Sequence, residues 1–349
     1  MLFIRADGNA VIGAGHLMRC LTVADEVIKR QAVTILCADS KSASLAKERG
    51  YPTYILEEEP FSEKEAIKVL SILKNEAKKI SLETGGPVLL IDSYNAGEDY
   101  IRMLAKAANI VCLDDMVQIY PGAWKIVNYN IFAKEEEFRR LYETAGIELP
   151  KLILGPAYIP LRPQFLETRH RVRPLAERVL ITTGGGDHDN LAGKILQHIL
   201  KNEKLKGLQY HVVSGAFNPN YEELIKLKEN YENIIIHKNV ENMAELMADC
   251  DMAITAGGST VYELCAVGTP LISFGYTQNQ KRLVTYMAKL DSDMGAGYYP
   301  DNEKEVLDKI VLAVEKLNQS EEKRRYFSNI EQKIADGRGA ARLAEELLI

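Results

Sequence analysis

The sequence predicts an α/β protein built from two Rossmann-like domains whose parallel sheets face each other across a cleft. Three observations carry this. Short apolar runs alternate with amphipathic stretches, the pattern of parallel strands covered by helices on both faces. The rhythm breaks between 134 and 178, where five prolines fall between 150 and 174, and then restarts. The 349 residues exceed the ~250–300 at which a single core usually splits.

The elements follow in order. "LFIRA" opens as a strand and a helix covers 15–30. "VTILCA", a helix over 41–49, "TYIL", a helix over 63–79, "VLLID", a helix over 98–107 and "IVCLD" continue the alternation. "WKIVNYN" adds a strand, and "KEEEFRRLYETAG" reads as a charged helix. After the proline-rich stretch come "RVLITT", a helix over 188–200, "YHVVSG", a helix over 221–230, "IIIH" and a helix over 241–248. "MAIT", a helix over 259–266 and "PLISFG" complete the second half. Residues 302–349 read as helical with no strand left to pair. The expected division is 1–160, 161–320 and a C-terminal helical segment, 321–349.

Composition narrows the class. Hydrophobic residues make up 46% and charged residues 26%, so the chain can build ordinary cores. The net charge is −6 and no lysine or arginine block is present, which argues against nucleic acid as a partner. Arg5 and Asp7 interrupt the start where a signal peptide would be apolar, and no run approaches ~20 apolar residues. The expectation is a cytoplasmic protein without stable membrane anchoring. Cys20, Cys37, Cys112, Cys250 and Cys265 are scattered, with no metal-binding spacing, and read as buried thiols. Neither a cofactor nor an oligomeric state is assigned from the sequence.

Three strand-to-helix turns carry the chemistry. In "ADGNAVIGAGHLMRC", Gly13 and Gly15 can bring backbone close to a ligand at the start of a helix. A dinucleotide fingerprint does not fit, because Met18 stands where the third glycine belongs. Leu17, Cys20, Leu21, Ala24, Val27 and Ile28 form the expected buried stripe, with His16 and Arg19 beside it. These residues alone admit two roles for His16: capping and packing, or proton transfer at the mouth of the cleft.

In "LITTGGGDHDN", three glycines precede Asp187, read as a helix cap, and Asn190, read in the first turn. Capping explains these acids without a metal. The third turn, "AITAGGSTVYELCAVGTPLISF", is the most specific. Gly257, Gly258, Ser259 and Thr260 open a helix whose amides can hold a diphosphate without a cation, and Glu263 lies where a carboxylate can accept ribose hydroxyls. "DSD" at 291–293 copies a metal-binding spacing but lies beyond these turns, so no metal site is expected.

With those residues in hand, a family resemblance emerges. "GGSTVYELCAVGTP" resembles the nucleotide-binding signature of the two-domain GT-B glycosyltransferase architecture. "IRADGNAVIGAGHLMRCLTVA" is similar to the start of the UDP-sugar hydrolases of pseudaminic acid synthesis and the related spore coat polysaccharide proteins. "LLIDSYN" with Asp92, "LDD" at 114–115, "NYN" with Asn128, "GGGDHDN", "NPN" at 218–220 and "ENMAELM" extend the likeness to about residue 290.

The resemblance implies hydrolysis of a UDP-linked (di)acetamido-deoxy sugar at its anomeric carbon, with His16 as the base that activates water. It implies that Gly257, Gly258, Ser259, Thr260 and Glu263 hold the nucleotide, with the uracil near Met243. It also places Gly13, Gly15, Arg19, Asp92, Asn128, Asp187, Asn190, Asn279 and Gln280 toward the sugar or phosphate. Asp7, Asp92 and Asp115 remain as candidates to orient His16. Two departures stand out: Ser93 follows Asp92 where the family pattern has histidine, and the chain runs on past residue 290. The alternative is a glycosyltransferase of the same architecture, delivering the sugar to an acceptor instead of water.

Overall fold

The computed structural model describes residues 1–8, 15–77, 86–215 and 218–348. Two compact units result. One contains Met1–Arg162 together with Arg338–Ile349, and the other Pro163–Gly337.

The first unit holds β1 (Leu2–Ala6), α1 (Gly15–Val27), β2 (Val33–Cys37), α2 (Ser40–Glu48), β3 (Thr53–Ile55) and α3 (Glu63–Ala77). It continues with β4 (Val88–Asp92), α4 (Glu98–Leu104), β5 (Asn109–Leu113), β6 (Lys125–Asn128), α5 (Glu135–Ala145) and β7 (Lys151–Leu154). The seven strands are parallel in the order β3-β2-β1-β4-β5-β6-β7. Every residue of β1, β2 and β4 is buried, which is why these strands read as unbroken apolar runs.

Arg5 is the exception within β1. It is fully buried, forks onto Glu65 of α3 with two contacts of 2.9 Å, and donates to Asp7 at 2.7 Å. Tyr100 of α4 donates to the same Glu65 carboxylate at 2.6 Å. Burying these charges is tolerable only because each has a partner. The result ties α3 and α4 to the strand ends where the order of the sheet reverses.

The second unit comprises α6 (Gln164–Glu167), β8 (Arg178–Thr182), α7 (Leu191–Ile199), β9 (Gln209–Ser214), α8 (Tyr221–Asn230), β10 (Ile234–Lys238) and α9 (Met243–Asp249). Then come β11 (Met252–Ala256), α10 (Ser259–Val267), β12 (Leu271–Gly275), α11 (Lys281–Leu290), β13 (Gly295–Tyr298), α12 (Glu303–Gln319) and α13 (Glu321–Ile334). Its six strands are also parallel, ordered β10-β9-β8-β11-β12-β13. Both glycine-rich turns of this half follow the two strands, β8 and β11, that flank the reversal.

Several sequence expectations are corrected. Residues 321–349 are not a separate segment: α13 stays in the second unit, whereas α14 (Gly339–Leu347) belongs to the first and packs on α1. Glu346 of α14 accepts hydrogen bonds from Lys125 of β6 (2.9 Å) and Lys151 of β7 (2.8 Å). Gly339 permits this docking, since a Cβ there would fall 2.0 Å from the Ile159 carbonyl oxygen. Ile28 does not join the α1 stripe; it follows the helix and is 47% exposed. The short strands β7 and β13 were not read from the sequence, because one sits in the proline-rich stretch and the other is "GAGY". Asp293 of "DSD" pairs with Lys316 and Lys323, joining α12 and α13 to the preceding loop.

Candidate active site

The first turn of α1 and the carboxyl end of β4 meet at the reversal of the first sheet, the place where open α/β sheets hold ligands. His16 Nδ1 lies 2.7 Å from Asp92 Oδ1. Arg19, one helical turn further along α1, donates Nε to Asp92 Oδ2 and Nη2 to Oδ1, both at 2.5 Å. Its Nη1 donates to Asp115 at 2.9 Å and to the hydroxyl of Tyr129. The Asp92 side chain is 1% exposed and that of His16 14%, so the carboxylate lies beneath an accessible imidazole.

Two contacts compete for Nδ1 of His16. Asp92 lies at 2.7 Å and Arg19 Nη2 at 3.0 Å, and arginine can only donate. The carboxylate contact is shorter, and Nη2 already serves Asp92. Nδ1 therefore carries the proton and donates it to Asp92, leaving Nε2 as the acceptor. Burial would raise the Asp92 carboxyl, but the Arg19 charge and the hydrogen bonds from Arg19 and His16 outweigh it and hold it at about 2. Cys20 donates its thiol to Asp92 at 3.5 Å, and burial and that carboxylate push the thiol well above its usual range. Tyr94 sets its ring edge-on to His16 at 4.7 Å between centroids and donates its hydroxyl to Asp115 at 3.3 Å.

A cavity of about 280 Å³ opens beside His16. Asp7, Ala38, Asp39, Pro60 and Phe61 line it from β1, β2 and the loop before α3. Asp92, Ser93, Tyr94 and Asn95 line it from the end of β4. The volume suits a single sugar-sized ligand at the lower end of the usual range of pockets, about 300 Å³.

The other expected residues of this unit are placed differently from the sequence reading. Gly13 lies outside the described residues. Gly15 is the first residue of α1, does not take a positive φ, and has open space around it. Asp92, expected against the substrate, lines the cavity with its carboxylate held by His16, Arg19 and Cys20, while Arg19 also serves Asp115 and Tyr129. Asn128 is fully buried at the end of β6, where its oxygen accepts from the Asn130 backbone and side chain at 3.0 Å each. Its oxygen shapes the loop after β6, while its buried Nδ2 has no hydrogen-bond partner. Asp114, also buried, accepts from the backbone of Met116 (2.8 Å) and Gln118 (3.1 Å), which leaves its neighbour Asp115 for Arg19.

In the second unit, Gly258 stands before α10 without a side-chain cap, and a Cβ there would meet nothing within 4 Å. The adjacent Gly257 serves packing: its Cβ would press on Val284 of α11 at 2.8 Å, and its N–H donates to Phe274 at 2.8 Å. Ser259 and Thr260 stand in the first turn of α10, where backbone amides have no acceptor within the helix, with half-buried Glu263 one turn further. Met243 is the buried first residue of α9.

Four residues expected at the ligand also make contacts within local structure. Helix α7 begins at 191, later than expected, and Asn190 is its cap, accepting from Gly193 at 3.3 Å. Asp187 accepts from Leu191 (2.7 Å) and Ala192 (3.1 Å) and is buried. Gln280 accepts from the backbone of Tyr276 (2.9 Å) and Thr277 (3.3 Å). Asn279 is exposed and contacts Thr277 Oγ1 at 2.6 Å. Of the "NPN" motif, Asn220 donates to the carbonyls of Asp187 (2.7 Å) and His188 (3.1 Å), bracing the same turn.

The fold is that of a GT-B-like α/β protein, and residues 179–347 match the glycosyltransferase family 28 C-terminal domain. The fold matches a crystal structure of Acinetobacter baumannii MurG with a TM-score of 0.68, covering 99% of this chain and 98% of that one at 14% identity. Among homologous sequences, the UDP-2,4-diacetamido-2,4,6-trideoxy-beta-L-altropyranose hydrolase of Campylobacter jejuni is 25% identical over 289 residues, 82% of this chain and 96% of that protein. The spore coat polysaccharide biosynthesis protein SpsG of Bacillus subtilis is 23% identical, with 84% and 81% covered. An uncharacterized protein of Methanocaldococcus jannaschii is 26% identical over 86% of this chain, which spans 62% of that protein's length. Among the described residues, no helix is long and apolar enough to cross a membrane.

Proposed function

We propose that the chain hydrolyses a UDP-linked acetamido-deoxy sugar at its anomeric carbon, releasing UDP, in the synthesis of a nonulosonic acid or a surface polysaccharide. The observation that carries this is the His16–Asp92 pair in the lining of a sugar-sized cavity. Nε2 of His16 takes a proton from water as its oxygen bonds to the anomeric carbon. The bond from that carbon to the diphosphate oxygen breaks, and UDP leaves with the electron pair. Asp92 holds the imidazole in the productive tautomer and stabilises the cation formed on it. The Ser259 and Thr260 amides at the start of α10 take the diphosphate, whose growing charge they stabilise, and Glu263 takes the ribose.

The homology to a hydrolase of a UDP-diacetamido-trideoxy sugar supports this reading. The five free cysteines, all buried, accord with work in the reducing cytoplasm. The family 28 domain and the MurG-like fold favour one second reading, a transferase that hands the same sugar to an acceptor. Incubation with UDP-diacetamido-trideoxy sugars in ¹⁸O-water, with chelator and without acceptor, separates the two. Label in the free sugar is the expected result. Label in UDP would mean attack at phosphorus and would overturn the proposal, and bound UDP-sugar with no release would favour the transferase.

A further inference from the structure

The loop before α3 builds one wall of the cavity in an unusual way. Phe61 has φ +61°, a left-handed conformation that a bulky side chain rarely takes. Such a conformation persists only where its surroundings enforce it, and these positions cluster at ligand sites. Here the enforcement is visible. The buried Arg5 guanidinium lies 4.4 Å from the ring centroid, and Tyr100 meets the ring edge-on at 5.3 Å. Both belong to the Glu65 network beneath the strand ends. Partly buried Phe61 packs on the core and lines the cavity with Pro60 and Ala38, while His16 and Ser93 also line it. A charged cluster thus holds an aromatic side chain in the wall of a pocket whose other lining includes Asp7, His16, Asp39 and Asp92.

Resting on the nucleotide-sugar reading above, we propose that Phe61 is a specificity-determining residue that receives a methyl group of the sugar. A methyl against this ring leaves water for an apolar surface. A hydroxymethyl at the same place would give up hydrogen bonds to water with no partner on the ring. The methyl can be carried by C6 of a 6-deoxy sugar or by an N-acetyl group, and these two sources are separable.

The test compares kcat/KM for two donor pairs, in the wild type and in Phe61→Gly and Phe61→Leu. The first pair is UDP-2-acetamido-2,6-dideoxyglucose and UDP-N-acetylglucosamine, which differ only by the C6 hydroxyl. The second is UDP-N-acetylglucosamine and its N-formyl counterpart, which differ only by the acyl methyl. The wild type should prefer the methyl-bearing member of one pair by about tenfold or more. Phe61→Gly, which also relieves the backbone, should reduce that preference to under about threefold, with UDP affinity unchanged, while Phe61→Leu keeps most of it. A preference that survives Phe61→Gly, or an equal loss on both members, overturns the proposal. If the wild type hydrolyses none of the donors, the hydrolase reading has failed. The same preferences are then read as dissociation constants, by displacement of labelled UDP, and decide the role of Phe61 by the same criteria.

Discussion

Asp92 Oδ1 and His16 Nδ1 stand 2.7 Å apart although 76 residues separate them in the chain. Two strand ends that adjoin at the sheet reversal bring them together, β1 leading into α1 and β4 ending on the aspartate itself. Asp92→Asn keeps the size of the side chain but loses the charge that fixes the tautomer and balances the imidazolium. Turnover should fall by about 10²- to 10⁴-fold with UDP affinity retained, as steady-state rates and titration calorimetry would show. An equal loss in His16→Ala, with no further loss in the double variant, would show that the two act as one unit.

The same carboxylate links stability to acid. Its folded value, about 2, lies below the ordinary value of an unfolded aspartate, so the stability it contributes is present above that ordinary value and lost as pH falls toward 2. The difference in unfolding free energy between the wild type and Asp92→Asn should therefore shrink as denaturation is repeated from pH 5 down to pH 2.

Arg19 joins Asp92, Asp115 and Tyr129 from a largely buried position. Arg19→Met removes the cation and leaves the Asp92 charge buried without it, a change that costs about 3–5 kcal/mol in comparable pairs. Chemical denaturation of the variant should show a loss in that range. A loss below about 1 kcal/mol would mean that water replaces the guanidinium.

Glu331 of α13 is fully buried, accepts from the Leu271 N–H at 2.8 Å through one oxygen, and has no partner for the other. Burial pushes its carboxyl well above the ordinary range, outweighing that hydrogen bond. The folded protein holds a proton that the unfolded chain releases, so stability falls as pH rises past the unfolded value. Glu331→Gln keeps the acceptor and removes the ionisation. Its melting temperature should rise by a few degrees at neutral pH, and the slope between pH 5 and 8 should flatten.

Glu263 offers the check on the nucleotide end. Removing its carboxylate in Glu263→Ala should weaken UDP binding by about 1.5–3 kcal/mol, the range for hydrogen bonds to charged groups. Unchanged affinity would move the ribose elsewhere.

The sequence made the strands and their turns legible because both sheets are parallel and their buried strands read as continuous apolar runs. The first turn of α1 could be found for the same reason, and with it His16 and Arg19. What Arg19 faces could not be found: helical spacing shows only that it flanks the stripe, whereas Asp92, Asp115 and Tyr129 come from three distant strand ends. The choice of Asp92 over Asp7 and Asp115 depends on the same long-range pairing. Asp7 is held by Arg5 and the Ala38 amide, a fact that local pattern does not encode. Asn128, Asp187 and Gln280 were read as ligand contacts because polar residues after strands suit that role equally well. Only the accounting of backbone donors shows that their oxygens also serve turns and caps.

The return of α14 to the first unit bears on how the chain matures. During synthesis, residues 339–347 emerge only after the whole second unit has been made, yet they cover the helix that carries His16. Until then the apolar side of α1 and the lysines of β6 and β7 lack Leu343, Leu347 and Glu346. The face of the first unit over the His16 helix is thus completed by the last of its described elements to be synthesised.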